Sequence, residues 1–509
     1  MSPTILRNPS LALRAAEWEV RPNLQIADQK RRAHLVSPTP TRLSATGALC
    51  VWGMVATVAN AALAVDRDGP PKYQKLRYEE DYRYLQDVSK RIDWFDPIKY
   101  VPLSEDGEYY LSLGGLIRER YEYIHNPLWG QDPQDKRGVF LQRYTLHADV
   151  HVGAYVRVFG QLHSALESGR RGGPSPVDED KLDLQQAFLD IALPLGEGRT
   201  LTLRGGRQEM SYGSARLIDV RQGPNVRRSF DGARMVLQWR DFRIDGLVAR
   251  PVRNEAEVFD NITDNSQALW GVYGMGKPVA TLPGASVDWY YLGFEDEEAE
   301  YTQGRDHETR HSVGARLWGA SGGWDYNFEA LYQWGRFGRG HIRAWTAASD
   351  IGYTWNDVRF SPRVGLRADI ASGDRDPSDA DLETFNPLYP RGNYFNELAI
   401  LGPRNFFDVH PFLTLEALQP LTLTADWNFY WRQSVEDGIY GPNGNLIRSP
   451  EGSDSRYIGS AISLTADWQL NRHLNLTTIY AHFFPGSFLR ETGSAEPIDF
   501  IEFTLSLTF

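Results

Sequence analysis

Residues 501–509 close the chain with IEFTLSLTF, and the reading of these nine positions decides the fold. Ile501, Phe503, Leu505, Leu507 and Phe509 are apolar, whereas Glu502, Thr504, Ser506 and Thr508 are polar. Successive side chains of a strand point to opposite faces, so the stretch is a strand with one apolar face. Chain ends are usually polar and frayed. An aromatic at the last position therefore asks what its face meets, and lipid is an answer.

The same alternation recurs from about residue 108. In LTLTADWNFYWRQ, residues 421–433, Leu421, Leu423, Ala425, Trp427, Phe429 and Trp431 share a face opposite Thr422, Thr424, Asp426, Asn428 and Arg432. In WDYNFEALYQW, residues 324–334, aromatics again fill one face and Asp325, Asn327, Glu329 and Gln333 the other. An apolar outside with aromatics toward the strand ends, around a wet interior, is the pattern of a transmembrane β-barrel. Sandwich strands alternate too, but are usually shorter. Eighteen strands are expected, near 108–124, 139–152, 154–168, 182–194, 200–211, 229–240, 242–251, 266–277, 285–295, 308–319, 323–337, 341–354, 361–372, 405–417, 421–433, 456–468, 473–484 and 497–509.

Connection lengths test this independently, because an outer-membrane barrel has short periplasmic turns and long outer loops. Brief turns follow even-numbered strands, at 153–154, 194–199, 418–420 and 469–473, and long polar segments follow odd ones, at 125–138, 212–228, 252–265, 373–404 and 434–455. GRFGRG, residues 335–340, is short where a long loop is due. An even count places both ends of the barrel in the periplasm. The expected fold is thus all-β, a single antiparallel barrel over residues 108–509.

The remaining segments fit export. Residues 43–64, LSATGALCVWGMVATVANAALA, follow Arg42 and end in Ala-Leu-Ala, the design of a secretory signal peptide cleaved near Ala64. Residues 1–41 are polar and unpatterned, as an over-early start codon would leave them. Residues 65–107 carry one short helix and then proline-punctuated chain, a periplasmic lead-in to the barrel. The single cysteine, Cys50, falls inside the signal, so disulfides and cysteine zinc sites are excluded from residues 65–509. Mean hydropathy of −0.45 does not oppose a barrel, in which alternate residues alone face lipid.

Without residues 1–64 the net charge becomes −16, which argues against nucleic-acid binding. Of 54 basic residues 46 are arginine. Arginine is the side chain suited to holding carboxylates bidentately. Alternation turns Arg118, Arg120, Glu122, Arg143, His147, Asp149, His151, Arg157, Arg204, Arg316, Arg363, Arg367, Asp369, Asp426, Arg432 and Asp467 into the lumen. Such arginines either select anions or pair with the inward acids to brace the wall. Gly319–Gly323 matches a nucleophile elbow, but it joins two strands where that motif needs a strand followed by a helix. His147, Asp149 and His151 lie about 6 to 7 Å apart on one face, too far for a single ion, and the acids of 373–383 lack the glycine of a calcium loop. No catalytic, cofactor or metal residue is expected.

SLGGLIRERYEY (112–123), ESGRRGGPSP (167–176), RGGRQEMSYGS (204–214), GPNVRRSFDGAR (223–234) and ASGDRDPSDADLETFNPLYPRGNYF (371–395) resemble the alginate export domain family of outer-membrane barrels. The resemblance implies an eighteen-stranded barrel in the outer membrane of a Gram-negative bacterium, with an arginine-lined lumen that passes a polyuronate. Its motif Gly206-Arg207-Gln208 adds Arg207 to the lumen set. The functional expectation is a channel for an anionic solute, in the specific case an acidic polysaccharide such as alginate handed over by a periplasmic secretion complex. The alternatives are a general porin for small acids or sugars and a structural barrel with a closed lumen. Phe509 is expected to end a recognition signal for the barrel assembly machinery, as outer-membrane proteins generally share.

Overall fold

The computed structural model describes residues 71–276 and 284–509, apart from Glu397 and Gln419. The expected signal peptide and its cleavage site lie outside these residues.

Eighteen strands close into one antiparallel barrel. They are β1 (Tyr109–His125), β2 (Val139–Val152), β3 (Val156–Ser168), β4 (Asp180–Gly196), β5 (Arg199–Gln208), β6 (Phe230–Trp239), β7 (Phe242–Arg253), β8 (Gln267–Gly276) and β9 (Ala285–Tyr301). The circuit continues through β10 (Gly304–Ser321), β11 (Trp324–Phe337), β12 (Gly340–Thr354), β13 (Arg363–Ala371), β14 (Phe406–Leu418), β15 (Leu421–Trp431), β16 (Tyr457–Gln469), β17 (Leu474–Pro485) and β18 (Ile498–Thr508). Each pairs with the next, and β18 returns to β1 in the register Leu116 opposite Thr508. Closure removes the free edges that an open sheet would expose. Each expected strand is present.

The outward face is the apolar one. Trp324, Phe328, Tyr332 and Trp334 of β11 and Phe503 of β18 are exposed, while Glu502 and Thr504 are buried within. Lipid meets this face, so exposure to water is not what these side chains experience. The short turns are built for hairpins: Glu197 and Gly198 between β4 and β5 both take positive φ, as do Gly322 and Gly323 between β10 and β11. Two consecutive left-handed residues give the turn whose twist matches the strands. The stretch that mimics a nucleophile elbow is therefore part of a hairpin.

One connection departs from the expected rhythm. Residues 296–307, polar enough to suggest a loop, continue β9 and β10 as a paired ribbon with a bulge between Asp296 and Ala299 and a turn at 302–303. A ribbon standing in water needs no apolar face, so its acidic sequence carries no strand signal.

Residues 71–107 do more than lead in. Four short turns, Arg77–Glu79, Arg83–Gln86, Val88–Lys90 and Asp96–Lys99, fold the segment into the mouth of the barrel at its short-turn end. Tyr78 packs edge-on against the inward rings of Phe159 (6.1 Å) and Phe188 (5.3 Å). β1 overhangs the end of β18 there, and Val101–Pro102 pairs with Leu111 and Tyr110 to cover the exposed edge. The Arg77 guanidinium donates to the carbonyl oxygens of Gly115 (3.0 Å) and Phe509 (2.8 Å), tying the segment to the seam.

Candidate lumen site

Two outer loops fold inward, and the first meets the lead-in. Loop 209–229, between β5 and β6, touches it through the Lys75–Asp219 ion pair, Arg227 Nη2 to Lys75 O (2.9 Å) and Tyr78 Oη to Glu209 O (2.9 Å). Loop 372–405, between β13 and β14, crosses to loop 209–229 in a parallel bridge of Ile218 with Tyr389. Around the circumference, inward side chains such as Arg143, Asp190, Asp245, Asn327, Asp408 and Glu502 are each less than a tenth exposed. A wide aqueous pore would leave them wet. The lumen at this level is filled.

The expected lumen residues fall into two groups by what they touch. In the first, each arginine meets a carboxylate. Arg157 forks onto Asp149 (2.8 and 2.6 Å), Arg204 onto Asp190 (2.7 and 2.8 Å), and Arg316 reaches Asp288 (2.8 Å). Arg363 and Arg367 share Asp350 (3.3 and 3.0 Å), Arg363 also binds Asp325, and both guanidiniums stack on Phe412 (4.6 Å). Asp426 accepts from His410 Nε2 at 3.0 Å, and Asp369 lies 3.6 Å from Arg216. These pairs brace the wall, and breaking a buried one costs about 3 to 5 kcal/mol.

The second group meets neutral oxygens, with Arg120 also beside a carboxylate. Arg118 and Arg143 stand directly opposite each other on β1 and β2, with Arg120 one inward position farther along β1. Arg118 donates to Gln222 O (2.9 Å) and Asn225 Oδ1 (3.0 Å), Arg120 to Gly223 O (2.7 Å), and Arg143 to Asn225 O (2.8 Å), Gln222 O (3.0 Å) and Pro224 O. Glu502 is 3.5 Å from Arg120. Arg432 likewise grips carbonyls, of Val435 (2.8 Å), Ser453 (2.8 Å) and Ser455 (2.7 Å), but in the outer loop 432–456 and over the Phe488 ring, so it anchors loop.

Arg207 is a correction. It pairs across the strands with Asp231 and bonds it at 2.9 and 3.0 Å, whereas Arg204 and Gln208, at even positions, face inward. Strand parity therefore turns Arg207 out of the lumen, beneath Thr263 and Asn261 of the loop after β7.

Sequence reading missed several buried partners. Arg234 binds Asp245 (2.6 Å), Arg310 binds Glu308 (2.5 Å) and the Thr384 carbonyl (3.1 Å), and Arg216 rises from loop 209–229 to Glu329 (3.3 Å). Arg234 and Arg310 lie on the inward parity of their strands and could have been found; Arg216 sits in a loop without periodicity. Arg216, Arg367, Arg391, Asp369, Asp408 and His410 line a polar cavity, with room for about one water and not for a solute. Lys99 of the lead-in is buried against the Tyr73 and Tyr82 rings (5.3 and 4.8 Å) without a hydrogen-bond acceptor. Burial, reinforced by Arg77, pushes its amine down to about 7.

A closed eighteen-stranded antiparallel barrel with a lipid belt and a polar, charged interior is an outer-membrane channel of Gram-negative type. Among solved structures it is similar to Pseudomonas aeruginosa OpdK with vanillate (TM-score 0.51, 11% identity, 78% of this chain and 98% of that one). It is equally similar to Pseudomonas aeruginosa OpdO (TM-score 0.51, 12% identity, 79% of this chain and 97% of that one). No curated protein matches the sequence. The family model described as alginate export matches residues 109–498, and the chain belongs to that family. Family and fold are those of non-enzymatic outer-membrane channels.

Proposed function

We propose that the chain is a gated outer-membrane channel for an anionic solute, with Arg118, Arg120 and Arg143 as its charge-selecting wall. The observation that carries this is the contrast between the two groups of arginines. Wall-bracing arginines have carboxylate partners, whereas Arg118 and Arg143 bond the neutral oxygens of an inserted loop. Once that loop moves, uncompensated positive charge faces the lumen, which lowers the cost of passing an anion. Arg157, Arg316, Arg363, Arg367, Asp369 and Asp426 then serve as the fixed frame of the pathway. Vanillate, the aromatic carboxylate with which OpdK was solved, is consistent with a small organic acid as the solute here.

A second reading, export of an acidic polysaccharide with a periplasmic secretion complex as partner, is favoured by the family match. A sugar chain needs a clear lumen, so this reading requires the lead-in and both inward loops to move. The third, a closed structural barrel, is favoured by the filled interior. Single-channel recording of residues 65–509 in a planar bilayer under a salt gradient separates them. Anion-selective current that Arg118→Ala/Arg143→Ala abolishes supports the proposal. Unselective current in the wild type, or none at all even with an organic acid added, refutes it, and block by oligouronate favours the polysaccharide.

A further inference from the structure

We infer that Gln222–Asn225 is an internal stand-in for the oxygens of a carboxylate or phosphate group, covering an anion site formed by Arg118, Arg120 and Arg143. This inference rests on the anion-channel reading. Like charges directly opposite each other on a sheet repel, and Arg118 and Arg143 are such a pair. What holds them together is the row of acceptors that loop 209–229 inserts: the carbonyls of Gln222, Gly223, Pro224 and Asn225, and Asn225 Oδ1. Asn225 is fully buried, its amide donating to the carbonyls of Gln142 (2.8 Å), Leu166 (3.1 Å) and Asp178 (3.1 Å).

The match is incomplete in a way that points to a ligand. Arg118 Nε and Arg143 Nη1 are buried with no acceptor, although both side chains are almost fully enclosed. A charged donor left unbonded in the interior is costly. Carbonyl dipoles are also weaker acceptors for a guanidinium than an oxyanion, with which it makes bonds roughly twice as strong. A carboxylate or phosphate arriving at the site offers negative charge and further lone pairs. It thus competes with Gln222–Asn225 for the same donors, and winning that competition releases the loop from the lumen. The solute opens its own path.

The test is single-channel recording of residues 65–509 with galacturonate, inorganic phosphate and the neutral sugar galactose on the outer side. Galacturonate raises the open probability with dose and galactose does not. A response to phosphate with galacturonate inert identifies phosphate as the source of the oxyanion. Asn225→Ala removes the loop's anchor and raises the open probability about tenfold without any anion, the size expected from losing a hydrogen bond to a charged group. Arg118→Lys/Arg143→Lys keeps the charge but loses the planar fork, and shifts the half-effective galacturonate concentration at least about tenfold. An open probability indifferent to both anions and to Asn225→Ala overturns the inference. If that indifferent current is still anion-selective, the channel reading survives; if it is unselective, both fall.

Discussion

Replacing Lys99 with Met should abolish a pH dependence that the lead-in otherwise shows. The Lys99 amine is enclosed by Tyr73, Tyr82 and His147, with Arg77, Glu80, Asp93 and Arg472 as the surrounding charges, and its pKa is brought from 10.5 to about 7. Undocking the segment returns the amine to water and its ordinary value. Between these limits the undocked state binds more protons, so docking strengthens as pH rises from 7 toward 10.5 and is unchanged below 7. Each pH step of one within that window is worth about 1.4 kcal/mol, giving about 5 kcal/mol over the whole of it. Tyr73 and Tyr82 are held above their usual value by burial, so above about pH 10 they would oppose the trend. The clean interval is therefore about pH 7.5 to 9.5, worth about 2.7 kcal/mol, or roughly a hundredfold. Hydrogen exchange of the amides of residues 76–85, corrected for intrinsic rate, measures the opening. Protection should rise about a hundredfold across that interval in the wild type and stay level in Lys99→Met. Equal slopes in the two proteins would refute the assignment.

Two further outcomes follow from the loops and the seam. Asp374 is buried beside Asp437 and Glu383, which pushes its carboxyl up to about 6. A raised carboxyl stabilises the folded loop below its unfolded value near 3.8 and loses that contribution as pH rises through about 6. Trypsin should accordingly cut after Arg375 faster at about pH 7 than at about pH 5 relative to Asp374→Asn, in which the difference vanishes; an unchanged ratio rejects this. Deleting Phe509 removes its stack on Phe95 (5.1 Å), two ladder bonds with Gly115 (2.8 and 3.0 Å) and one acceptor of Arg77. The expected result is slower appearance of the heat-resistant barrel in the outer membrane, with Arg77→Ala assembling normally if Phe509 acts as a recognition signal. Normal assembly without Phe509 refutes that role.

How far the sequence can be read depends on whether a physical constraint repeats along it. Lipid imposes a period of two on every strand, so the alternation ending in Phe509 is enough to locate the wall and to put Arg118, Arg143 and Arg363 on its inner face. Arg207 fails because the family motif carries no parity, and Arg204, three residues earlier, lies on the opposite face. No such period governs segments that fold inside a barrel. Loop 209–229 and the lead-in satisfy their backbone groups through single, non-repeating partners such as Arg143 and Arg157, so their polar composition looks like solvent exposure. The consequence reaches function: the inward arginines of β1 and β2 are legible in the sequence, but what they hold is backbone from elsewhere in the chain. An inward arginine becomes a selectivity element only when its partner can leave. Asp149 and Asp190 sit on the wall strands themselves, whereas Gln222–Asn225 sits on an inserted loop, which is why the proposed anion pathway is centred on Arg118 and Arg143 and not on the whole basic ladder.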